Sequence, residues 1–148
     1  MATQHLDMIP DVAGLLGGTK VLGRVSAPVD LQHAIRDGLP YAALEALAAV
    51  LELTHSDVTA VLGMAPRTLA RRKHDRHLSP IESDRLYRLA RVTQHAAETL
   101  GGVEQARAWL GRGNRALGGA TPLSMLDTEI GARQVEESLV HINYGIHA

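Results

Sequence analysis

The chain has 148 residues, of which 45% are hydrophobic and 21% charged, with a formal net charge of −1 and no cysteine. That length suits one domain, or a compact domain with a small lobe, and buries roughly 68–70% of the unfolded surface. Missing cysteines exclude disulfides, thiolate catalysis and cysteine zinc sites. One Trp, three Tyr and no Phe leave few stacking platforms for single-stranded nucleic acid. The lack of a long apolar run, or of a basic segment ahead of one, argues against a membrane span or secretory signal, so a cytoplasmic protein is expected.

A core of Leu, Val and Ala with helical spacing and few β-rich runs predicts an all-α protein. Residues 1–27 hold the short apolar segment "IPDVAGLLGG" and then "KVLGRV", expected to be a short strand or an extended arm. "PVDLQHAIRDG" begins with Pro28 in a first-turn position and stops at Gly38, which reads as a helix. In "PYAALEALAAVLE", Leu44, Leu47, Ala48 and Leu51 fall on one helical face. Two short helices follow, over 54–62 and from Pro66 to about Lys73, split at Gly63 and Met64.

The clearest long helix is "LSPIESDRLYRLARVTQHAAETLGG". Ser79 and Glu82 have capping-box spacing, Pro80 takes the first helical position, and Gly101 ends the run. Its apolar stripe is Leu86, Leu89, Ala90, Thr93, Ala97 and Leu100. "GVEQARAWLG" reads as a short helix and "GRGNRALGGATP" as a Gly-rich connector. "DTEIGARQVEESLVHINYG" makes the last helix, with Ala132, Val135, Leu139 and Ile142 on one face. The expected division is an N-terminal segment (1–27), a helix-turn-helix domain (28–100) and a C-terminal helical lobe (101–148), with the N-terminal segment and the long helix from Ser79 both candidates for the dimer interface.

The near-neutral total conceals an uneven charge distribution. Between Arg67 and Arg91 eight Arg and Lys face three acids, a local balance of +5, whereas from Thr121 onward the balance is −3. A basic middle and an acidic end permit two different partners. Residues 54–73 have the length of a helix-turn-helix core, with Val58, Leu62, Met64 and Leu69 placed to lock two helices and Gly63 at the turn. Arg67, Thr68, Arg71, Arg72 and Lys73 are the side chains then available to DNA, because Arg pairs with phosphate or reads guanine and a helix N-terminus favours phosphate oxygens. One such unit reads a half-site, so two copies about 34 Å apart, a homodimer, are expected. An ordinary basic surface helix is the plainer alternative.

Other constellations are weaker. His74 and His77 would share a helical face, yet no further ligand stands at metal spacing. "GRGNRA" follows a helix rather than a strand, which rejects a dinucleotide fingerprint. Glu82, Asp84, Arg85, Arg88 and Arg91 read as an ion-pair set within one helix. Thr121, Ser124, Asp127 and His141 supply hydrolase residue types without a nucleophile elbow. No catalytic, metal or cofactor site is expected, and the chain is not expected to be an enzyme.

Several separated pieces, "GLPYAALEAL", "LGMAPRTLARRK", "LSPIESDRLYRLARV" and "ARAWLGRGNRALGGATPLSMLDTEIGARQVEESLVHINYGIHA", together resemble the Xre/MbcA/ParS antitoxins, partners of RES-domain toxins. The resemblance spans about residues 12–148. It implies an Xre-like helix-turn-helix half that binds the operon's own operator DNA. It also implies a C-terminal half that blocks the active site of a RES toxin, an enzyme that degrades NAD or transfers ADP-ribose from it. Carried onto this chain, the toxin-binding residues are Glu137, His141, Asn143, Tyr144, Gly145, Ile146, His147 and Ala148. Two positions depart from the family pattern. Gly113 stands where Pro commonly precedes the connector Asn, which is expected to loosen that loop. His141 stands where Arg often precedes the Ile of the last helix. A dimeric helix-turn-helix repressor without a toxin partner is the alternative reading.

Overall fold

The computed structural model describes residues 11–143 and Gly145, and among these the backbone forms nine α-helices and two 3₁₀ turns with no strand. Residues 11–90 make one compact unit, and the chain from Arg91 onward makes a second. The first unit comprises α1 (Val12–Leu15), α2 (Thr19–Leu22), α3 (Pro28–Asp37), α4 (Tyr41–Leu51), α5 (His55–Leu62), α6 (Pro66–Asp75) and the start of α7 (Pro80–Leu100). The remainder of α7, α8 (Val103–Leu110), 3₁₀ turns at Arg115–Leu117 and Leu123–Met125, and α9 (Glu129–Asn143) make up the second.

The "KVLGRV" stretch is neither strand nor extended arm. Gly18 and Gly23, both at positive φ, bracket a single helical turn, α2, which packs against α4. An isolated apolar run with no neighbouring strand satisfies its backbone by coiling instead. The start of α3 is fixed by Pro28 and by Asp30, whose Oδ2 accepts the Ser26 and Ala27 amides at 2.9 and 3.0 Å. Those two backbone bonds, Ser26 first, hold the Asp30 carboxyl below its ordinary range.

A clamp closes the first unit. Leu78 N–H donates to the Leu39 carbonyl (2.9 Å), Tyr41 N–H to the Arg76 carbonyl (2.8 Å), and the buried Leu39 amide to Ser83 Oγ (2.7 Å). Gly38 is required there, because its φ is +93° and a Cβ would lie 2.3 Å from the Leu78 carbonyl oxygen. Around this seam Leu16, Leu39, Leu47, Leu62, Leu86 and Leu89 are fully buried. Each contributes about 1.5–3 kcal/mol relative to exposure.

The predicted stripe of α7 is buried at Leu86, Leu89, Ala90, Thr93 and Ala97, and half-buried at Leu100. In the second unit Val92, Trp109, Leu110, Leu126, Ala132, Val135 and Leu139 make the core. The connector after Gly113 is built on local turn bonds centred on Asn114. Asn114 Oδ1 accepts the Ala116 amide (2.9 Å), and the Asn114 amide and carbonyl bond Ala120 and Gly119 (3.0 and 2.8 Å). Among the described residues no helix is long and apolar enough to cross a membrane.

Candidate functional site

Thr54 starts α5 with a reciprocal cap: its Oγ1 accepts the Asp57 amide (3.0 Å), and its own amide donates to Asp57 Oδ2 (2.9 Å). Gly63 ends α5 at φ +62°. A Cβ at Gly63 would meet Arg85 Nη1 at 2.8 Å, the same atom that donates to the Leu62 carbonyl at 2.9 Å. The turn is thus held from α7 as well as by its own backbone. Pro66 then opens α6, and buried Leu69 fixes which way that helix is rotated.

With Leu69 inward, Arg67, Ala70, Arg71 and His74 are exposed at i, i+3, i+4 and i+7, and Thr68 is half-buried beside them. Lys73 is exposed on another side, beside Tyr41 and Glu45. Arg72 lies three residues from Leu69, is half-buried and is engaged by a neighbouring helix. Its Nε donates to Glu82 Oε1 at 2.7 Å and its Nη2 to Oε2 at 3.3 Å. Glu82 Oε1 also accepts the Ser79 amide (2.8 Å), so the capping box read from the sequence carries a second function. Burial would raise the Glu82 carboxyl. The Arg72 hydrogen bond, the Ser79 amide and the Arg72 charge outweigh it and hold the group below the usual range.

Three charged residues of α7 reach other elements rather than only their neighbours on one helix. Glu82 pairs with α6, Arg85 bonds the α5 carboxyl end, and Arg91 reaches α9 at Glu136 (2.7 Å) and Glu129 (3.4 Å). His74 and His77 do not share a helix either, since Arg76 at φ +68° ends α6 between them. Ser124 Oγ donates to the Thr121 carbonyl (2.7 Å), a local turn bond.

In the second unit α9 is pinned by Arg91 and by His95, whose Nδ1 lies 3.4 Å from Glu136 Oε2. Its outer side carries Ile130, Arg133, Gln134, Glu137, Val140 and His141, all exposed. Ile130 is 74% exposed and Val140 39%. These two apolar residues were not singled out from sequence, although the signal existed: both fall off the stripe of Ala132, Val135 and Leu139. Glu137, His141, Asn143 and Gly145 lie exposed at this end, and the proposed Tyr144, Ile146, His147 and Ala148 lie outside the described residues.

The family model described as the antitoxin Xre-like helix-turn-helix domain matches residues 30–91, and that of the antitoxin Xre/MbcA/ParS C-terminal toxin-binding domain matches 95–145. Antitoxin Xre of Photorhabdus laumondii is 32% identical over 118 residues, covering 78% of this chain and 80% of the other. The chain belongs to the Xre antitoxin family. Antitoxin Xre of Yersinia enterocolitica is 28% identical over the same shares, and that of Pseudomonas putida 41% over 80 residues, 53% of this chain and 50% of its relative. In this Xre antitoxin the helix-turn-helix match takes in α4, α5 and α6, and the toxin-binding match takes in α8, the connector and α9.

Proposed function

We propose that this Xre-family antitoxin neutralises a RES-domain toxin that consumes NAD or transfers ADP-ribose from it. Its C-terminal end blocks the toxin's active site, and its helix-turn-helix represses its own operon as a homodimer. It acts in the cytoplasm as a binding protein, not an enzyme. The observation that carries this reading is the outer side of α9. There, within the toxin-binding match, Ile130 and Val140 stand in water beside Glu137 and His141, on a helix that leads directly into the terminal residues. Apolar anchors ringed by polar groups are what a helix offers a protein groove.

Operator binding falls to Arg67, Thr68 and Arg71 on the exposed side of α6, with Lys73 toward the phosphate backbone. Arg72, already paired with Glu82, supports the helix. The deciding experiment co-expresses a RES-domain toxin with the full chain, with a chain lacking residues 144–148, and with Arg67→Ala/Arg71→Ala, while growth and NAD level are followed. The full chain and the Arg variant protect, and the shortened chain does not. Protection by the shortened chain would refute active-site blocking. In operator titrations each Arg contacting guanine costs about 1–3 kcal/mol, whereas loss of a phosphate contact lowers the salt slope.

A further inference from the structure

Helix α3 is amphipathic in sequence yet buries none of its side chains fully. Between it and the start of α7 runs an open groove of about 580 Å³ walled by Val29, Ile35, Pro80 and Tyr87. Val29 is 49% exposed, and Ile81, next along α7 from Pro80, is 67% exposed. An apolar groove with exposed Val29 in its wall, and exposed Ile81 one residue on from Pro80, offers apolar surface that a folded unit ordinarily covers. Arg36 and Asp84 also line this groove, and neither forms an ion pair within the described residues.

One positive and one negative group on the same apolar patch make that patch self-complementary. A two-fold axis through it would set each Arg36 against the partner's Asp84, the reciprocal pattern of an isologous interface. A partner of a single charge sign would leave one of the two unmatched. We infer that the α3–α7 face docks a second copy of this chain, with Val29 and Ile81 as apolar anchors and Arg36 and Asp84 setting the register. This rests on the homodimer reading and adds to it the surface that pairs.

The test is sedimentation equilibrium on the full chain and its variants, with circular dichroism as the folding control. The native chain sediments at twice the mass of one chain. Val29→Asp/Ile81→Asp sediments at the mass of one chain with an unchanged helical spectrum, because both positions already face water. Arg36→Asp and Asp84→Arg each shift the equilibrium toward single chains, and the two combined restore the native mass. A native chain of single mass would overturn the homodimer reading itself. A native double mass that persists in Val29→Asp/Ile81→Asp would overturn only the assigned surface, as would a charge exchange that restores nothing. If the apolar variant stays double but no longer co-purifies with the RES toxin, the groove belongs to the toxin and the inference is wrong.

Discussion

With Arg72 Nε and the Ser79 amide both on Oε1 of Glu82, and Arg72 Nη2 on Oε2, one carboxylate ties α6 to the first turn of α7. Hydrogen bonds to charged groups of this kind are worth about 1.5–3 kcal/mol, so Glu82→Gln should lower unfolding free energy by about 2 kcal/mol in urea melts. The pH dependence has a definite sign. The folded carboxyl titrates below its unfolded value, so between the two values the unfolded chain binds more protons. The stabilisation is complete above the ordinary Glu range, about 4.3, and is lost as pH falls through the lowered folded value. Glu82→Gln should remove that part of the acid sensitivity; an unchanged acid limb would show that the pair contributes nothing. From sequence, Arg71 and Arg72 were equivalent candidates for DNA. What separates them is the 100° rotation between neighbours on a helix anchored by Leu69, which turns Arg71 to water and Arg72 to Glu82.

At the level of elements, α9 depends on a glycine that no periodicity marks. A Cβ on Gly131 would lie 1.9 Å from the Met125 carbonyl oxygen, so the helix sits directly against the preceding 3₁₀ turn. Gly131→Ala must push the two apart at a cost of about 1–3 kcal/mol, and should weaken capture of the toxin. Gly111→Ala is the control. With φ −91° and its nearest clash partner at 3.6 Å, it should melt like the native chain. Equal melting of both variants would show that α9 does not need this approach. The long elements were legible because Leu86, Leu89, Ala90 and Thr93, or Ala132, Val135 and Leu139, repeat at helical spacing. The single turn α2 was not, since four residues carry no period. Nor were the cross-element pairs of Glu82 and Arg91, because sequence spacing exposes neighbours on one helix and is silent about other helices.

For the molecule as a whole, the near-neutral sum of charges says little, because the basic residues gather around α6 and α7 while the end of the chain is acidic. The all-α architecture was readable from composition and spacing. The seam that organises the first unit was not, since it joins residues 44 positions apart. Closing so long a loop is entropically unfavourable until the contacts across it form together, so Leu39, Leu78 and Ser83 should unlock only when the whole unit opens. In native-state hydrogen exchange the Leu39 and Leu78 amides should be among the slowest of the unit and those at the start of α3 among the fastest. Similar rates at both places would show that the seam opens locally. On the operator-binding role proposed above, α6, suspended between α5 and such a seam, has little freedom left to lose when it meets DNA. Whatever affinity its exposed arginines generate is then offset by only a small ordering cost.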